Sequence, residues 1–221
     1  CGTARAVGGI GRRQGYCEVK KMKVLFVNGC IRAEKSRTLG IAESFLEAFS
    51  AAHQDVEIVT EDLNELRLEP LYHDTLEARN KAAERCEWDN EMFAPARRFR
   101  EADLVVIAVP FWEGTFPAAV HTYIEHVCVT GLTFKCIERG YEGLCRAENA
   151  VFITTRGGIY SDGDAVGDDH AAPFLRSVFK MLGIKRLHVI DAEGLDIPGC
   201  DIDSKLGAAK ADAERLAENI M

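Results

Sequence analysis

The stretch GCIRAEKS, residues 29–36, departs at one position from the phosphate loop G-x-x-x-x-G-K-[ST]. Gly29, Lys35 and Ser36 are in register, and Glu34 stands where the second glycine belongs. The glycines of such a loop let backbone N–H groups wrap a di- or triphosphate, whereas Glu34 would push a Cβ and a carboxylate toward those oxygens. A carboxylate that holds Mg should also close a nearby apolar strand. LHVID (187–191) imitates this, but Asp191 lies on the last strand and Lys35 has no glycine-built loop around it. The stretch is a poor triphosphate site, and its second half suits a phosphate monoester better. Ser36 and Thr38 stand at the mouth of a helix with Arg37 between them, so free N–H groups, two hydroxyls and the positive helix end could hold one phosphate without lysine or metal. Ordinary N-capping by Ser36 would account for that serine on its own.

Two further segments carry chemistry. VPFWEGTFP (109–117) places Phe111 and Trp112 where a strand ends, and their rings could floor a planar ligand or cap the following helix. TTRGGIYSDGD (154–164) holds adjacent glycines, Gly157 and Gly158, which permit close approach of backbone to a ligand or a tight turn. A monophosphate cradle, an aromatic platform and a glycine-opened backbone edge together suit flavin mononucleotide (FMN), which has one phosphate and one planar ring with hydrogen-bonding edges.

The elements that must position these loops alternate along the chain. KVLFVNG (23–29), DVEIVTEDL (55–63), DLVVIAVP (103–110), NAVFITTRGG (149–158) and KRLHVIDAEG (185–194) predict five strands, the third the most apolar and hence central. Ala42, Phe45, Leu46 and Phe49 form an i, i+3, i+4, i+7 stripe, which predicts a helix from about Ser36 to His53. Further helices are predicted over 90–102, 116–129, 171–184 (stopped by Gly183) and 203–220. Residues 64–85 are a polar excursion with a short helix, and 132–144 suit a hairpin-like arm. The fold class that follows is α/β: a doubly wound, five-stranded parallel sheet with helices on both faces. Ligands in such sheets bind at the carboxyl ends of strands where the strand order reverses, so the loops after strands one, three and four matter most.

KVLFVNGCIRAEKSRT, VIAVPFWEGTFPAAVHTYIEHVCVTGLTF and FITTRGGIYSDG resemble the flavodoxin-like FMN-dependent NADH azoreductase and NAD(P)H:quinone dehydrogenase family. The similarity covers nearly everything after Met22, including GLTFKCIERGYEGL and AEG. The resemblance implies a homodimer with FMN near the subunit interface, NADH or NADPH as co-substrate, and ping-pong two-electron reduction of small aromatic acceptors, quinones or azo compounds. Carried over by position, Cys30, Ser36, Arg37 and Thr38 correspond to the phosphate loop. Phe111, Trp112, Glu113 and Gly114 correspond to the segment under the isoalloxazine, and Thr155, Arg156, Gly157 and Gly158 to the segment along its polar edge. The family usually has Asn at position 113 and Phe at 114, and an aromatic where Cys136 stands in the arm, departures that bear on the flavin's surroundings and on substrate preference. No catalytic side chain is expected, because the flavin carries the chemistry.

Bulk properties narrow the alternatives. With 221 residues, 47% of them hydrophobic, 28% charged and a net charge of -8, the chain supports one well-buried domain and lacks the basic face that nucleic acid or an anionic membrane requires. No apolar run reaches the roughly 18 residues of a membrane span. Eight cysteines without C-x-x-C spacing in a core-rich chain point to free thiols in a reducing, cytoplasmic compartment, with Cys30 and Cys128 packed as small apolar groups. Residues 1–21, rich in Gly and Arg and without periodicity, are expected to be a non-native or disordered leader, with the domain spanning 22–221. HTYIEH resembles a metalloprotease helix, but His121 and His126 are five apart, about 140° around a helix, and do not share one metal. His121 and Glu125 are expected to form a surface pair instead. SDGDAVGDDH lacks the glycine offset and closing Glu of a calcium loop, and Asp168 and Asp169 are expected to cap the next helix. Two functional classes remain: an NAD(P)H-dependent FMN oxidoreductase, and a flavodoxin-type electron carrier. The arm at 132–144 and the excursion at 64–95 favour the enzyme, because a carrier needs a bare flavin edge rather than walls around a pocket.

Overall fold

The structure, a computed structural model, describes residues 21–220. The leader expected over 1–21 therefore lies outside the described residues, Lys21 apart. Five strands form one parallel sheet: β1 (Met22–Asn28), β2 (Val56–Asp62), β3 (Leu104–Ala108), β6 (Asn149–Thr155) and β7 (Arg186–Ala192). Their order is β2-β1-β3-β6-β7, with β3 in the middle and all five of its residues buried. Asn28, Ala108 and Ile153 stand in register, so β1, β3 and β6 end at one rim. The order reverses between β1 and β3, which makes the rim beside them the expected place for a ligand.

Helices α1 (Arg37–Ala52) and α7 (Ile202–Asn219) cover one face, where Ile41, Phe45, Phe49, Ala209 and Ala213 meet Val24, Phe26, Val106 and Val151. On the other face lie α4 (Ala94–Glu101), α5 (Ala118–Val127) and α6 (Ala171–Leu182), contributing Phe99, Val120, Tyr123, Leu175 and Phe179. Alternate residues of each strand thus feed opposite layers, which is why β1, β3 and β6 read as continuous apolar runs. Gly183 ends α6 with φ 103°, a left-handed conformation that glycine adopts without strain.

The excursion contains more helix than its composition announces. A one-turn α2 (Leu63–Leu66) is followed by α3 (His73–Glu84), twelve residues of which Ala82 alone is buried. Its packing comes from a small satellite cluster of Ala82, Phe93, Ala96, Val129 and Leu132 with Trp88. The arm is an antiparallel hairpin, β4 (Phe134–Ile137) and β5 (Gly140–Gly143), and its base presses on the end of α6. A Cβ on Gly143 would lie 2.1 Å from the Gly183 nitrogen, so only glycine fits there. The expected His121–Glu125 pair is not among the described ion pairs. The His121 ring instead packs on Phe116, centroids 4.5 Å apart, and on Phe174, and Glu125 accepts from the Leu71 N–H at 3.4 Å. Among the described residues no helix is long and apolar enough to cross a membrane.

Candidate functional site

The loop leaving β1 is built to present a helix mouth. Asn28 anchors it: its Oδ1 accepts from the Cys30 N–H at 3.0 Å, and its Nδ2 donates to Asp62 at 2.9 Å. A 3-10 turn over Ala33–Lys35 then delivers Ser36 in an extended conformation as the N-cap of α1, its hydroxyl accepting from the Leu39 N–H at 3.3 Å. Arg37 and Thr38 are the first two helical residues, and their N–H groups have no carbonyl within the helix to donate to. Thr38 is buried, and its hydroxyl lies 2.7 Å from that of Thr155, joining α1 to the end of β6. Around this mouth opens a cavity whose anion-attracting end is formed by Arg32, Lys35, Ser36, Arg37 and Thr38.

The cavity continues past Thr155 and Gly157 to Pro110, Phe111 and Trp112. The two aromatics expected as one platform divide their work. The Phe111 N–H donates to the Thr155 carbonyl at 3.1 Å, and its ring is buried against Tyr160, centroids 4.5 Å apart. Trp112 is 37% exposed and offers the free aromatic surface. Beyond it the chain reverses: Trp112 and Thr115 exchange two backbone hydrogen bonds of 3.0 and 2.8 Å across Glu113 and Gly114, whose φ values are 52° and 79°. Two consecutive left-handed residues are the signature of a type I′ turn. Gly114 meets that demand freely. Glu113 does so under strain, exposed and outside the cavity lining. Its carboxylate is therefore no wall of the cavity. Replacing Glu113 by asparagine, which tolerates this conformation better, is expected to stabilise the chain by about 1 kcal/mol and raise Tm by roughly 2–4 °C. A calorimetric scan showing no rise, or a fall, would contradict the turn assignment.

Arg156 is the hub behind the cavity. Its guanidinium is buried, ion-paired to Glu193 at 2.6 Å and Asp169 at 2.8 Å, with Asp191 at 3.4 Å, and it lies 5.1 Å from the Phe111 ring centroid. Burial alone would raise the Glu193 carboxyl, but hydrogen bonds from Ser161 and Arg156 outweigh it and hold Glu193 below the usual carboxylate range. Asp191 moves the other way, raised by burial and by Glu193 and Asp169 despite Arg156. Asp169 also caps α6, accepting from the Ala171 and Ala172 N–H groups, a role in which Asp168 takes no part.

The sequence-derived residues thus converge unevenly. Ser36, Arg37, Thr38, Phe111, Trp112, Thr155, Arg156 and Gly157 line one cavity, while Cys30, Glu113, Gly114 and Gly158 do not. The Cys30 side chain is core: fully buried, its Sγ donating to the Ala108 carbonyl at 3.5 Å, its thiol pushed up to about 11 by burial. Cys128 is half-buried against the opposite layer, as its apolar reading anticipated. Missed were Arg32, Lys35 and Pro110, and Leu195 and Asp196 on the loop after β7, a loop that the switch-point argument leaves out. Neither the arm nor the excursion lines the cavity: the arm lies beside α6, and α3 is tied to α5 through Arg79, which donates to the Glu125 carbonyl at 2.9 Å.

A five-stranded, doubly wound sheet with an anion-receiving helix mouth at its switch point defines the flavodoxin-like class. The chain belongs to the family of flavodoxin-like fold, which matches residues 22–218. It is 37% identical over 185 residues to FMN-dependent NADH:quinone oxidoreductase 2 of Clostridium acetobutylicum, covering 83% of this chain and 92% of that one. To the FMN-dependent NADH:quinone oxidoreductase of Coprothermobacter proteolyticus it is 32% identical over 200 residues, 89% of this chain and 98% of the relative. The crystal structure of an azoreductase from Bacillus anthracis str. Sterne superposes with a TM-score of 0.81 at 28% identity, over 90% of this chain and 100% of that one.

Proposed function

We propose that the chain is an FMN-dependent NADH oxidoreductase that reduces quinones and azo compounds by two electrons in ping-pong fashion. The observation that carries this reading is the cavity itself: two helix N–H groups without a partner among the described residues, two hydroxyls and three cations at one end, and an exposed indole at the other. That donor set fits one phosphate and one planar ring. Ser36 and Thr38, with the N–H groups of Arg37 and Thr38, would hold the phosphate, and Arg32, Lys35 and Arg37 would offset its charge. Trp112 would flank the ring, and the backbone from Thr155 through Gly158 would run along its polar edge. Bound FMN supplies the electron transfer, so the residues bind, orient and exclude water, and no side chain is assigned acid or base duty.

Because the arm and excursion do not wall the cavity within this chain, the choice of enzyme over electron carrier rests on the names of the relatives. An anaerobic titration of the FMN-loaded protein with NADH decides it. Stoichiometric bleaching near 450 nm, reversed by a benzoquinone, is the expected result. A flavin that dithionite bleaches but NADH does not would make the protein a carrier. The exposed apolar side chains of the arm, Ile137 and Tyr141, support a homodimer, and we place that dimer in the cytoplasm. A light-scattering mass of a single chain would remove the dimer.

A further inference from the structure

Asp196 is the one carboxylate among the residues that line the cavity, and it stands beside three cations that could bind a phosphate. Such a charge repels the phosphate that the rest of the pocket attracts. Its position is nevertheless set by the fold. The Asp196 N–H donates to the Gly157 carbonyl at 3.1 Å, and the neighbouring Leu195 N–H donates to that of Arg156 at 3.1 Å, so the loop after β7 is stitched to the loop after β6. The carboxylate lies back over Gly157, where Oδ2 occupies a point 2.5 Å from the site of a missing Cβ. Oδ1 accepts from Arg37 Nη1 at 3.3 Å. Among the described residues Oδ2 has no hydrogen-bond partner, and the side chain is 75% exposed, so a polyol hydroxyl would replace water there.

An ionised carboxylate only accepts hydrogen bonds. The phosphate end of the cavity supplies donors, and so does Arg37. What lies between a phosphate and a flavin ring is a polyol, whose hydroxyls are donors in need of acceptors. Asp196 sits in that middle stretch, between Arg37 on one side and Gly157 on the other, with one oxygen free. Resting on the FMN reading of the cavity, we propose that Asp196 is a specificity-determining residue whose Oδ2 accepts polyol hydroxyls of the cofactor. The pocket then selects a phosphorylated polyol over a bare phosphate or a bare ring, because the carboxylate's repulsion is offset by hydroxyls alone.

The test uses the full chain freed of flavin, wild type and Asp196→Ala, titrated by fluorescence with FMN, riboflavin and lumiflavin, which keeps the ring and has a methyl group in place of the polyol. The expected result is riboflavin binding weakened about tenfold by the loss of a charge-assisted hydrogen bond. FMN should be weakened by less, since the substitution also removes repulsion of the phosphate, and lumiflavin should be unchanged. Unaltered riboflavin affinity overturns the proposal. So does a loss shared equally by lumiflavin, which would make Asp196 a prop for the loop, or a loss larger for FMN than for riboflavin, which would assign it to the phosphate through Arg37. In those cases wild-type flavin binding stands. A wild type that binds none of the three removes the FMN reading and this assignment with it.

Discussion

Replacing Arg156 by leucine is expected to destabilise the fold by about 3–5 kcal/mol at pH 7, the cost of stranding buried charge. The side chain of Arg156 is 5% exposed, that of Glu193 12% and that of Asp169 20%. Asp191, at 36%, is more open, so its pair with Arg156 at 3.4 Å adds less than the other two. Leucine removes the cation and leaves two partly dehydrated carboxylates facing each other. The pH dependence separates this cause from a mere packing defect. In the wild type the Glu193 carboxyl is held below its usual range, so it adds stability above the unfolded pKa of about 4.3 and loses it as pH falls through the folded value. The raised Asp191 opposes this: its cost is present at neutral pH and fades as pH falls. Without Arg156, Glu193 joins Asp191 on the raised side, and the native variant takes up protons earlier than its unfolded chain. The deficit should therefore be largest at pH 7 and shrink toward pH 5, as read by urea unfolding. A loss below about 1 kcal/mol, or a deficit that grows on acidification, would show that the three carboxylates do not depend on Arg156.

The same hub marks where sequence reading stops. The strands were legible because VVIAV and VLFV are apolar on both faces, and only a doubly covered parallel sheet needs that. Ser36 was legible as a cap and Gly183 as a stop, since both act within four residues of themselves. Arg156 was legible only as a member of a motif. Its partners Asp169, Asp191 and Glu193 stand 13 to 37 positions away, and nothing local says that three acidic side chains will turn toward one guanidinium. Phe111 and Trp112 are adjacent and chemically alike, yet one is buried and the other exposed. The difference is made by the hydrogen bond from the Phe111 N–H to β6 and by the tight turn that follows, both tertiary events. Helix α3 was legible only as a short helix without bounds. Its polar surface lacks a stripe, and it docks through Ala82 and the bond from Arg79 to the Glu125 carbonyl. Asp196 escaped because it belongs to a loop after an edge strand, held at the cavity by backbone hydrogen bonds to the loop after β6.

Ser36→Asp is expected to leave the fold intact and lower FMN affinity by roughly a thousandfold. The two halves of that statement draw on different properties of one position. As an N-cap, aspartate is at least as good as serine: its carboxylate can accept from the Leu39 N–H as the hydroxyl does now at 3.3 Å, and a negative charge at the positive end of α1 is favourable. The flavin-free variant should therefore melt at the wild-type temperature or slightly above. As part of a phosphate cradle, the same carboxylate is ruinous. Two like charges about 4 Å apart at an effective dielectric near 20 repel by about 4 kcal/mol, which corresponds to roughly three powers of ten in affinity. Arg32, Lys35 and Arg37 would recover part of this, and the recovery should vanish at high salt because all three are exposed. Ser36→Ala separates the roles in the other direction, losing about 1 kcal/mol of capping while weakening FMN by one charge-assisted hydrogen bond. Fluorescence titration of FMN against both variants, beside their melting curves, reads the two properties independently. If Ser36→Asp binds FMN as the wild type does while keeping its melting temperature, Ser36 is a cap and nothing more. The phosphate would then have to lie away from the mouth of α1, and the cavity between that mouth and Trp112 would lose its claim to the cofactor.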